Sequence, residues 1–348
     1  GRSFLALAEV LAGAETLEPR SVAQACLMVS RWAQEEVRPR TAIWYAQAAA
    51  LVLPTEAESA LTVAQLLRGN AEYVRAETWF RRAIGLARRR GDARIYALSF
   101  LGLGNLFVRR GDYARGKAAF EHALRAARRA GIRTIRAEAL HDLFATAAET
   151  RQVAEAESYA RMAYRAYPAS HSRLPALAHD VAVFWMLQGY YARALPVLRA
   201  VAGVVTRPID RLVGLSNLAR AAGGAAEPFI FATAWVDTWQ IIDSHPTLEC
   251  VTSSLVLLAY GSALIGDWER VELAARYAVS LATERGEESN RHEAQTLLDA
   301  WQTHRLAEAH PIPRPEPGLA ESADALAEEF VRTLTARAGS ADSPRMQC

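Results

Sequence analysis

The sequence predicts an all-α fold: a right-handed helical-repeat solenoid of about six to seven helix pairs with a C-terminal capping helix. Three observations predict it. Residues 100–124, FLGLGNLFVRRGDYARGKAAFEHAL, carry apolar and small residues at the spacing of two antiparallel helices joined by a tight turn. The same spacing recurs along the chain every 37 to 40 residues. A composition of 51% hydrophobic and 22% charged residues over 348 positions is enough to bury a long, continuous core.

In the central unit, Gly104, Gly116 and Ala123 are small enough to let two helices approach closely, and Leu103, Phe107, Tyr113 and Phe120 fill the seam between them. The position of Gly104 recurs at Ala64, Phe144, Ala182, Ala219 and Ala259, which defines an array over residues 55–286. The last unit repeats Gly111-Asp112-Tyr113 as Gly266-Asp267-Trp268. The fifth is the poorest match. There Gly223, Gly224 and Pro228 are expected in the internal turn, with Phe229 opening the second helix.

Residues 1–54 read as a degenerate N-terminal unit and cap, with helices over 3–12 and 21–53 and with Trp32, Trp44 and Tyr45 in apolar stripes. Residues 287–309 read as a capping helix. Prolines make 310–318 an extended linker. Apolar residues from Leu319 to Leu334 at three- and four-residue steps place an amphipathic helix at 319–338, and 339–348 read as a disordered tail. That tethered helix is expected to latch the array's groove, pair with a second copy or cap the array.

The pattern quoted from residues 100–124 resembles the tetratricopeptide repeat (TPR) superfamily, departing from it at Gly116, where alanine is usual, and at Phe100, where tryptophan is common. The resemblance implies a concave face, lined by the first helix of each pair, that holds a peptide or partner helix. Residues one after and three before each marker are expected to point into it. In the N-terminal half these include Gln65, Leu101, Asn105 and His141; further on they include His179, Val183, Ser216, Arg220 and Tyr260. Asn105 stands where TPR clamps often place asparagine, but the cationic partners of a carboxylate clamp are not matched. The implied function is a non-catalytic scaffold or adaptor that takes a protein or peptide partner. The alternative is a peptide- or ligand-sensing domain of a bacterial regulator.

His141-Asp142 and His179-Asp180 occupy equivalent positions in adjacent units, so a metal-dependent enzyme built on these four residues is a third reading. Copying of one helix face by repeat duplication, with each aspartate bonding locally, is the favoured account of them. Phosphate-binding, zinc-protease and hydrolase motifs do not occur, and no cofactor is expected. Cys26, Cys250 and Cys348 lack metal-binding or disulfide-framework spacing. With no apolar run long enough to span a bilayer, a cytoplasmic location is expected. The chain opens on Gly1 without a starting Met, as an excised piece would.

Charge is unevenly distributed. Between Arg75 and Arg136, fifteen arginines and Lys117 face four carboxylates, a local excess of +12 in a chain of net charge +2. Arg88, Arg89 and Arg90 recur one period later as Arg128 and Arg129. They predict a basic ridge for a nucleic acid or an acidic protein.

Overall fold

The computed structural model describes residues 5, 7–9, 12, 18–306 and 317–341. Among them all regular structure is helical, in sixteen helices from Pro19 onward and in helical residues at 5 and 7–9. By contact the chain divides into two compact units, Gly1–Tyr167 and Pro168–Cys348.

The first unit holds four antiparallel pairs: α1 (Pro19–Glu35) with α2 (Pro39–Val52), α3 (Ala57–Gly69) with α4 (Tyr73–Arg90), α5 (Ala93–Arg109) with α6 (Tyr113–Arg129), and α7 (Arg133–Glu149) with α8 (Val153–Ala166). The second holds α9 (Leu174–Leu187) with α10 (Tyr191–Ala202), α11 (Pro208–Gly224) with α12 (Pro228–Ser244), and α13 (Val251–Ile265) with α14 (Trp268–Arg285). It then adds α15 (Glu288–Thr303) and α16 (Pro317–Ala341).

Five of the six later pairs turn through three residues with a left-handed middle residue: Ala71 (φ 59°), Gly111 (76°), Arg151 (57°), Gly189 (82°) and Ala226 (57°). Two of these are glycine, which adopts the conformation freely, while each L side chain there costs about 1–2 kcal/mol. An aspartate can follow and cap the next helix. Asp112 accepts from the Arg115 amide at 3.0 Å, and Asp267 from that of Arg270 at 3.2 Å.

Close packing in the first unit rests on bare backbone meeting aromatic rings. A Cβ on Gly102 would stand 2.2 Å from the Phe80 ring of the preceding pair, and one on Gly104 would stand 2.5 Å from the Phe120 ring of its own pair. Phe80 and Phe120 are fully buried as a result. The first helices α3, α5 and α7 also touch one another directly, while α4, α6 and α8 are separated by them. The first-helix side of this unit is therefore the tighter side.

The fifth pair departs from expectation. Gly223 and Gly224 do not lie in the turn; they end α11, and Ala225, Ala226 and Glu227 turn the chain. Gly223 is pressed against α13, where a Cβ would stand 2.2 Å from the carbonyl oxygen of Gly261, and Gly224 lies on the ring of Tyr191. The glycines serve a helix crossing rather than a bend. They let α11 pack along α13, so that α12 touches α13 only slightly.

Near the N-terminus, Trp44 turns outward at 67% exposure instead of joining the apolar stripe, because Ile43 and Ala46 take the buried face of α2. Part of the expected helix 3–12 lies outside the described residues, as do positions 310–316 of the expected linker and 342–348 of the expected tail. The penultimate helix stops at Thr303, where His304 turns left-handed at φ 52°. The final helix is longer than expected: Pro317 and Gly318 belong to it rather than to the linker, and it continues to Ala341.

That helix, α16, rests chiefly on α10, the second helix of its pair, and not on the first-helix face. Ala323, Leu326, Phe330 and Leu334 are buried there. Arg193 bonds Asp324 at 2.6 Å and lies over the rings of Trp185 and Tyr190, and Arg337 donates to the carbonyl of His171 at 3.0 Å.

Two stability outcomes follow from this geometry. Ala71→Gly should raise stability by roughly 1 kcal/mol, because the left-handed strain disappears. Gly223→Ala should lower it by roughly 1–3 kcal/mol, because backbone cannot yield as a flexible side chain does. Urea unfolding followed by circular dichroism checks both. A stabilised Gly223→Ala variant would mean that the α11–α13 crossing is looser than described.

Candidate functional site

In the first unit, the first-helix face assembles from α3, α5 and α7. Leu101 and His141, each three before its marker, are only 5% exposed. They face neighbouring helices and do not line an open surface, since α3, α5 and α7 pack directly on one another. His141 lies edge-on to the ring of Tyr167, with centroids 6.3 Å apart. The positions one after the marker remain accessible: Gln65 is exposed and Asn105 half-buried.

Asn105 donates from Nδ2 to the carbonyl of Leu101 at 3.1 Å and to Oδ2 of Asp142 at 3.2 Å. Asp142 in turn interacts with Arg68 of α3, whose guanidinium is held below its usual pKa first by burial and then by the nearby cation of Arg109. The Arg68 Nε is buried without a hydrogen-bond partner. Two arginines, an amide and one carboxylate thus share this face, with positive charge in excess. Reading the sequence missed Arg68 and Arg109. They stand three residues after Gln65 and four after Asn105, close to one helical turn, and that spacing was the available signal.

In the second unit, His179 and Asp180 of α9 are bonded to each other at 3.1 Å, and Asn217 of α11 donates to His179 Nε2 at 3.2 Å. A neutral His179 satisfies both contacts with its proton on Nδ1. Ser216 is fully buried and bonds the Ser254 hydroxyl at 3.3 Å, so it too is withdrawn from the surface. Val183 is half-buried.

The guanidinium of Arg220 lies 4.2 Å from the ring centroid of Tyr260. Burial pushes the phenol of Tyr191 above its usual pKa, opposed by the charge of Arg220 and a hydrogen bond from it. Tyr260 and Val256 also wall an open cavity of about 680 Å³ whose far side is α15, with Leu297 and Ala300 below and Glu293 and Asp299 beside it.

The two His-Asp pairs are therefore engaged differently, His141 inside packed aromatics and His179 in a surface hydrogen-bond chain. Among the described residues, no group of three or more His, Cys, Asp or Glu is placed to hold a metal. No described helix is long and apolar enough to cross a membrane.

No protein-family model matches the sequence, and neither does any curated protein. Solved structures do match in shape. The type IV pilus biogenesis factor PilW aligns with a TM-score of 0.51 at 19% identity, covering 67% of this chain and 98% of PilW. Pseudomonas aeruginosa PilF aligns at 0.49 with 16% identity, over 66% and 95% of the two chains. A putative kinesin light chain of TPR-like repeats from Podosopora anserina aligns at 0.45 with 16% identity, over 56% and 98%. The fold is a TPR-like helical repeat.

The crowding of Arg68 and Arg109 predicts that this face is not optimised for stability. Arg68→Met should leave the urea unfolding midpoint unchanged or raise it. Asp142→Ala, which leaves the two cations without the carboxylate facing them, should lower it. The reverse order would make Arg68 a structural residue.

Proposed function

We propose that the chain is a non-catalytic TPR-type scaffold or adaptor that holds an extended protein or peptide segment on its first-helix faces. In the first unit the segment is fixed through a carboxylate taken by Arg68, Arg109 and Asn105. The observation that carries this reading is the buried, unpartnered Nε of Arg68 beside a second guanidinium. Desolvating a cation next to another cation is unfavourable unless an anion arrives to balance them. A planar carboxylate suits the donor fork of arginine, and its second oxygen can take over the Asn105 N–H that Asp142 Oδ2 otherwise accepts.

Gln65, exposed on α3, and the helix-dense first-helix side support a bound main chain running across α3, α5 and α7. In the second unit, Val183, Arg220 and Tyr260 offer mixed apolar and polar contacts, and the cavity beside Tyr260 is large enough for an apolar side chain. The alternatives of a ligand-sensing regulator and of a metal enzyme at His141, Asp142, His179 and Asp180 have no comparable observation behind them.

A displayed library of random decapeptides, presented with free C-terminal carboxylates and separately as amides, tests the reading. Free-carboxylate peptides should be selected. Arg68→Ala or Arg109→Ala should weaken the best of them roughly ten- to a hundredfold, as expected for a lost charge-assisted bond. Equal selection of amides, or binding indifferent to both arginines, would refute the carboxylate site.

A further inference from the structure

The two ends of the first unit differ in how their charges are matched. At the end where each pair turns, four cations meet carboxylates in ion pairs, Arg75 with Glu72, Arg110 with Glu77 at 3.2 Å, Arg115 with Asp112, and Lys117 with Glu155 at 2.5 Å, and Arg68 and Arg109 crowd together near Asp142. At the other end the chain passes from one pair to the next through short loops. The helices are antiparallel, so the C-terminus of each second helix lies beside the N-termini of its own partner and of the next first helix.

That topology gathers Arg88, Arg89 and Arg90 from α4, Arg94 from α5, Arg128 and Arg129 from α6, Arg133 from α7 and Arg165 from α8. All eight are exposed, and none forms an ion pair with another of the described residues. Of the carboxylates near these arginines in sequence or topology, Asp92 is committed to capping the Ile95 amide, Glu56 accepts from Ser59, Glu121 pairs with Arg125 at 3.6 Å, and Glu138 stands five residues after Arg133 on α7.

Helix-terminal electrostatics explains only part of this. Arginines in the last turns of α4 and α6 complement the carbonyl end of the helix dipole, but Arg94 and Arg133 stand in first turns, where a cation is disfavoured. The edge therefore accumulates positive charge against local preference.

We infer that this edge binds the phosphodiester backbone of a nucleic acid without reading its sequence. Between Arg88 and Arg94 and between Arg128 and Arg133, the residues other than arginine are Gly91, Asp92, Ala93, Ala130, Gly131 and Ile132. There is no exposed aromatic or large apolar anchor of the kind that organises a protein interface. A polar, strongly cationic and extended surface is what phosphate contacts require. Without stacking aromatics, the bases are not engaged.

Fluorescence anisotropy of the full chain with labelled 20-mers tests this, using duplex DNA, duplex RNA and single-stranded RNA at 50 to 200 mM salt. At least one should bind at 50 mM with affinity falling steeply with salt. Substituting Arg88, Arg89, Arg128 and Arg129 by alanine should weaken binding at least about tenfold and flatten the log–log salt slope by roughly two or more. Lysine at the same four positions should retain binding within about threefold.

Arg110→Ala, at the matched end, and Arg68→Ala, at the proposed peptide site, should leave oligonucleotide binding unchanged. The two surfaces thus stand or fall separately. Absence of any shift at 50 mM, an unchanged slope in the quadruple alanine variant, or displacement of the oligonucleotide by poly-glutamate at equal charge would overturn the inference. The last result would assign the edge to acidic protein.

Discussion

At the centre of the first unit, α5 packs closely on its neighbours because aromatic rings meet backbone that has no side chain. Phe80 on Gly102 and Phe120 on Gly104 set the distance between successive helices. Any larger residue at either glycine would lift the pairs apart and open voids beside rings that are now fully buried. Because α5 receives one ring from the preceding pair and one from its own, it couples the two hairpins into a single stack. The closeness of α3, α5 and α7 follows, and so does the shared face on which Arg68, Asn105, Arg109 and Asp142 meet.

The second unit solves the same problem with backbone against backbone. Gly223 and Gly261 bring α11 and α13 together directly, and α12 touches α13 only slightly. Aromatic residues then fill the space around α12. Trp235 lies 5.9 Å from both Phe231 and Trp239, and Trp239 stacks on Tyr277 of α14. The final helix returns to cover α10, burying Phe330 and Leu334 that would otherwise face water. Its apolar stripe is thus satisfied within its own chain, and the Arg193–Asp324 pair fixes the contact at its rim.

Charge follows a different logic from packing. Arginine supplies nearly all the positive charge, and where it faces carboxylates it forms exposed helix-surface pairs such as Arg81–Glu77 and Arg276–Glu272, which contribute little to stability. The informative arginines are those left over, Arg68 against Arg109 on one face and the eight at the loop edge. Arg68 is crowded by a second cation, and Arg94 and Arg133 stand in first turns where a cation is disfavoured, so fold stability does not account for them and this supports the binding roles proposed above.

The sequence by itself determined the helical class, the pairing of helices and the repeat period. These depend on local spacing: apolar residues at helical intervals, small residues at crossings, and glycine or aspartate at turns. It also displayed the basic ridge, since exposed charge needs no partner to be recognised. Only the tertiary structure decided which side of each first helix stays open. Leu101, His141 and Ser216 have the right register but lie against a neighbouring helix, and burial depends on what arrives from elsewhere in the chain. For the same reason the role of Gly223 and Gly224, the seat of the final helix and the meeting of Arg68 with Arg109 could not be read along the chain. Each is set by contact between segments distant in sequence.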